Sequence, residues 1–172
     1  NPAANLGAAM LPPKLTRPHA ALTQIESCRQ LLVACEAASG AAFTVRVASR
    51  FLALTAVRLD AVRGMRWGEI EDGSDGPVWR VPPARMKLAR AKKDEARFAH
   101  LVPLSRPALQ VLQLAAAENG YDTRSAPADA LVFPGKGKNA PIGERAIGAL
   151  YARAGYADRH VPHGWRASFS TI

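Results

Sequence analysis

The sequence predicts an α+β domain that is mainly helical, with a small antiparallel sheet set to one side. Two observations carry that prediction. Apolar residues recur three or four apart in separate stretches beginning near residues 22, 42, 105 and 141, the helical period. Alternation of the strand kind shows at Val78-Trp79-Arg80-Val81, behind the turn signal Gly73-Ser74-Asp75-Gly76. At 172 residues and 48% apolar side chains, the chain is long enough to bury the core of one ordinary domain.

Residues 1–21 hold four prolines and no periodicity, which suits a linker or extended arm, so the folded domain is expected over 22–172. Thr23-Gln24-Ile25-Glu26 reads as a capping box, and Leu22, Ile25, Leu32 and Cys35 keep helical spacing up to a stop at Gly40. A second apolar helix over 42–57 places Val45, Ala48, Leu52 and Thr55 on one face and runs into Arg58, which by itself reads as a helix-end cation. Residues 62–67 continue as a short helix. After the strand at 78–81, a charged segment leads to a returning strand, Phe98 to Leu104. Between residues 85 and 106 seven Lys/Arg face two acids, a charge run that fits either a solvated loop or a hairpin tip entering a DNA groove. Ser105-Arg106-Pro107 opens a helix with Leu109, Leu112 and Ala116 inward and Gly120 as its stop. Residues 121–130 are a polar loop, and Leu131-Val132-Phe133-Pro134 is a buried run. Gly135-Lys136-Gly137-Lys138 reads as a flexible basic loop, lacking the Ser/Thr of a nucleotide-binding loop. A helix from Pro141 and Ile142 through Leu150 to Gly155 then leads towards His163.

A net charge of +9 points to an anionic partner, nucleic acid before membrane, because no long apolar span or basic amphipathic helix is present. Cys28 and Cys35 lie seven residues apart on one helix, roughly 10 Å along its axis, too far for a mutual disulfide. They read as buried free thiols in a reducing compartment. The chain opens on Asn1 and carries no signal-peptide pattern, so a piece of a longer protein is expected.

Near the end stands His163-Gly164-Trp165-Arg166, behind Pro162. On a helix starting there, His163 and Arg166 project from one face. A guanidinium grips two phosphate oxygens, an imidazole beside it exchanges a proton, and helix N–H groups face the anion. The spacing alone is more often a solvated helix face than a phosphate clamp.

Four blocks in order change that balance. They are Leu52-Ala53-Leu54-Thr55-Ala56-Val57-Arg58 with Arg66-Trp67-Gly68-Glu69-Ile70, a hairpin with Met86-Lys87 and His100-Leu101-Val102-Pro103-Leu104-Ser105, the Leu131–Pro134 run, and His163 to Thr171. In this the chain resembles the catalytic domain of the tyrosine recombinases, in particular phage-type integrases, over about residues 23–172. The resemblance implies a sheet of about three strands. It implies that Arg58 and Arg166 hold the scissile phosphate with His163 beside them, while Lys87 protonates the leaving 5′ oxygen, with Lys92 or Lys93 as fallback. No metal and no cofactor is then expected, because two fixed guanidiniums stabilise the charge that builds on the phosphate oxygens. Double-stranded DNA carrying attachment sites is the implied partner, with other integrase protomers assembled on it, in the bacterial cytoplasm and without a membrane.

The chain departs from the family pattern twice. Position 61, where the family commonly has an acid to orient the first arginine, is Ala61, with Asp60 adjacent. The family's nucleophilic tyrosine follows the His-x-x-Arg helix, whereas Tyr121, Tyr151 and Tyr156 all precede His163. The expectation is therefore a catalytic domain incomplete at its C-terminus, a phosphate clamp without its nucleophile. The alternative is a non-catalytic basic DNA- or RNA-binding domain, in which the four cations would be scattered in space.

Overall fold

In a computed structural model, residues 19–86, 93, 95–137 and 139–172 are described. Helix α1 spans Ile25–Ala37 and α2 spans Phe43–Thr55. After the short helix α3 (Leu59–Arg63) comes a three-stranded antiparallel sheet, β1 (Ile70–Gly73), β2 (Gly76–Val81) and β3 (His100–Pro103), with β2 in the middle. Helices α4 (Arg106–Glu118), α5 (Ala146–Arg153) and α6 (Gly164–Thr171) complete the order.

The fold is organised on α2. Its Val47, Ala48, Ser49, Phe51 and Leu52 are all buried, and it packs against α1, α3, α4 and α5. Phe51 faces the Trp79 ring of β2 at 5.6 Å and the Phe133 ring at 5.5 Å, so one side chain joins helices, sheet and the 131–134 run. Each such ring withdrawn from water contributes about 1.5–3 kcal/mol. Two polar groups of the core are paired through one hydroxyl. Ser49 donates to the Tyr151 hydroxyl at 3.0 Å, and the Trp165 indole N–H donates to the same oxygen at 2.7 Å. That chain of two hydrogen bonds ties α2, α5 and α6 together and fixes where α6 can sit.

The expected elements are present with shifted bounds. In α1 the buried face is Cys28, Leu31 and Cys35, whereas Ile25 is 67% exposed, and the Gln24 N-cap makes no side-chain hydrogen bond. The capping-box reading fails there because the helix begins at Ile25, one residue too late for Thr23 to act as N-cap. The α4 cap is as expected: the Ser105 hydroxyl accepts from the Ala108 N–H, and Gly120 closes the helix with φ +74°. Residues 64–67 leave the helix early, and Arg66 instead forms a bridge with Leu131. Pro141 likewise bridges Pro134, which delays α5 to Ala146. The acidic stretch Ile70–Gly73 is a strand rather than only a turn, joined to β2 through the two-residue loop Ser74-Asp75.

Both cysteines are free and buried. Burial pushes the Cys35 thiol up to about 11, which keeps it protonated and unreactive. No described helix is long and apolar enough to cross a membrane.

Candidate phosphate-binding site

Helix α2 ends at Ala56, which adopts the left-handed conformation (φ 49°) and sends its N–H back to the Leu52 carbonyl. For a residue with a Cβ this turn costs on the order of 1–2 kcal/mol. It reverses the chain so that Arg58, extended at the N-cap of α3, lines an open cleft of about 780 Å³. The opposite wall comes from α5, whose small residues Gly148, Ala149 and Ala152 leave the space empty, and from Val161, Pro162 and His163 at the approach to α6.

His163 is the N-cap of α6, and Arg166 lies one turn further. The Arg166 guanidinium donates to the Ala56 carbonyl at 3.5 Å, which places it beside the turn that delivers Arg58. Burial first, then the charges of His19, Arg166 and Arg58, hold the His163 imidazole below its ordinary pKa. Arg58 and His163 thus line one cleft, and Arg166, although 108 positions from Arg58, lies beside the Ala56 turn and close enough for its charge to act on His163. Lys87 and Lys92 lie outside the described residues. Lys93 is in a partly buried turn of the β2–β3 connection.

Support for Arg58 does not come from its acidic neighbour. Asp60 is turned to solvent and pairs with Arg63 at 3.0 Å, and Ala61 is buried. Among the described residues no carboxylate pairs with Arg58. The acid that is well held nearby is Glu69, which accepts from the Trp79 indole at 3.0 Å and pairs with Arg85. Arg85 in turn donates to the Ala61 carbonyl at 3.2 Å, so this network braces the backbone of α3 instead of the guanidinium.

Sequence reasoning missed His19, Arg145, Glu144 and His160. The first three line the cleft. His160 is buried between Tyr151 and Trp165, and its Nδ1 accepts from the Leu22 N–H at 3.0 Å. His19 and His160 carry no periodic or motif signal, because His19 meets His163 and His160 accepts from Leu22 across most of the chain.

Burial holds His160 at a pKa of about 4, against 6.5 in an open chain. The unfolded chain therefore binds the extra proton first as pH falls. The stability from neutral His160 is complete above pH 6.5 and is lost progressively towards pH 4, amounting to at most about 3 kcal/mol. Urea unfolding at pH 7.5 and 4.5 is expected to show this fall, and a shallower one in His160→Asn, which keeps an acceptor but does not titrate. Equal pH dependence in the two proteins would contradict the assignment.

The chain is 34% identical to Prophage integrase IntZ of Escherichia coli (strain K12) over 172 residues, covering 99% of this chain and 37% of that protein. It is 32% identical to Prophage integrase IntA of the same organism over 119 residues, 69% of this chain and 25% of the relative. The integrase of Shigella phage Sf6 is 27% identical over 127 residues, 73% of this chain and 29% of the relative. This chain thus spans only about a quarter to a third of the length of these relatives. No solved structure matches it significantly. The family model described as Phage integrase family matches residues 22–172, and the chain belongs to that family.

Proposed function

We propose that residues 22–172 are the phosphate-gripping part of a site-specific DNA recombinase that breaks and rejoins DNA through a 3′ phosphotyrosine intermediate. The observation that supports this reading is that Arg58 and His163 line one cleft while the charges of Arg58 and Arg166 both act on His163. Attack on a phosphodiester adds negative charge to the non-bridging oxygens. Two guanidiniums already in place stabilise that charge more in the transition state than in the ground state, with no solvent reorganisation at the moment of reaction. Burial and the neighbouring charges hold the His163 imidazole below its ordinary pKa, and an approaching phosphate favours its protonation. Lys87 is assigned the protonation of the leaving 5′ oxygen, with Lys92 or Lys93 in reserve. The tyrosine nucleophile is assigned to a segment outside these 172 residues, and further protomers on the DNA complete the assembly.

Binding to a short DNA duplex tests the reading. Because phosphate contacts dominate, affinity is expected to fall linearly with the logarithm of salt concentration, with a slope near −0.9 per phosphate neutralised. Arg58→Ala and Arg166→Ala should each weaken binding across all sequences and reduce that slope by about one. These 172 residues alone are expected to leave no covalent adduct on DNA. A slope unchanged in both variants, or duplex RNA bound as tightly as DNA, would favour a non-catalytic basic binding domain.

A further inference from the structure

We infer that His19, in the segment ahead of α1, is a positioning residue for His163, an inference that rests on the reading of His163 as a phosphate-facing group. The two imidazoles meet edge to face, with ring centroids 4.7 Å apart and planes at 65°. His19 also lines the same cleft as Arg58 and His163.

Its position is fixed by the backbone that follows it. The Val161 N–H donates to the Ala20 carbonyl at 3.2 Å, the Leu22 N–H donates to His160 Nδ1 at 3.0 Å, and the Ser168 hydroxyl donates to the Leu22 carbonyl at 2.5 Å. These bonds grip the segment on both sides of His163 in sequence. The approach is so close that a Cβ on Gly164 would stand 2.4 Å from the Ala20 carbonyl oxygen. His19 stands directly ahead of this pinned backbone, and its ring lies against that of His163.

The contact has two physical effects. It restricts rotation of an otherwise exposed imidazole that caps α6 without a side-chain hydrogen bond. It also adds a second imidazole to the charges around His163, which are Arg58 from the start of α3, Arg166 from α6, and Asp60, Glu144 and Arg145 along the cleft walls. Together with burial, the cations among these oppose protonation of His163 until an anion arrives.

The test is NMR titration of the His163 imidazole in the 172-residue chain, alongside binding to a short DNA duplex. His19→Ala is expected to move the His163 titration upward and to weaken duplex binding about three- to tenfold, the range of a lost aromatic contact. His19→Phe keeps the ring and removes the charge, so it should recover most of the affinity while the titration still moves up. Unchanged titration and affinity in His19→Ala would overturn the inference. The underlying reading fails separately: if His163→Ala and Arg166→Ala bind duplex like the parent chain, the site is not a phosphate site, whereas the titration still decides whether His19 governs His163.

Discussion

Replacing Arg166 with alanine in a longer integrase polypeptide that contains this domain is expected to slow DNA cleavage by about 10²–10³-fold or more, with the fold intact. The two halves of that expectation have different causes. Arg166 is exposed, and its recorded contact is a single hydrogen bond to the Ala56 carbonyl at the long limit of 3.5 Å. Its removal should therefore change stability by no more than about 0.5 kcal/mol. On the proposed reading, by contrast, the side chain faces charge that is greatest in the transition state, so its loss appears in the rate of cleavage more than in ground-state binding. Arg166→Lys should recover only part of the loss, because an ammonium keeps the charge but not the two-pronged grip. Single-turnover cleavage of a nicked attachment-site duplex, with circular dichroism for the fold, measures both. Cleavage at the parent rate would remove Arg166 from the site.

The second large effect is expected from Gly164→Ala. A methyl group there would meet the Ala20 carbonyl oxygen at 2.4 Å and both the Ala21 Cα and His160 Cε1 at 3.2 Å, and two of these three neighbours are backbone. Backbone cannot rotate away as a flexible side chain does, so the 20–22 segment must lift off α6, losing its hydrogen bonds to Val161 and His160. The expected cost is about 1–3 kcal/mol, a fall in Tm of very roughly 2–10 °C for a chain this size. Gly148→Ala is the control. Gly148 is also helical, yet its Cβ would reach only Pro162 Cδ at 4.0 Å, so alanine there is expected to be neutral or stabilising by up to about 1 kcal/mol. Thermal unfolding of the two variants side by side decides the matter, and equal Tm values would show that the segment does not dock as described.

What the sequence made legible follows the range of the interaction. Helix α4 was readable end to end because Ser105, Pro107 and Gly120 act on their own neighbours. The start of α1 was not, since an apolar residue such as Ile25 costs little at the surface and breaks the inferred face without destabilising the helix. β1 was hidden by its acids, which suit an edge strand whose outer side is wet and whose Glu71 pairs across the ladder with Arg80 at 2.7 Å. The candidate residues Arg58, His163 and Arg166 were picked out by the order of four family blocks and by nothing more local. His19 and His160 were invisible, because their partners stand 144 and 138 positions away and neither spacing nor composition encodes that distance.

The hydroxyl shared by Ser49 and Trp165 has a chemical consequence beyond packing. Tyr151 belongs to the helix whose small residues wall the cleft, so a phenol stands on the reverse side of the same turn of chain. Burial drives its proton affinity far above the ordinary phenol range, outweighing the two hydrogen bonds that favour the phenolate. A phenolate is the species able to attack phosphorus, and this one is denied both ionisation and access. On the proposed reading, the buried Tyr151 is withheld from a phosphodiester bound in the cleft, and chemoselectivity among tyrosines is set by the scaffold before any substrate binds.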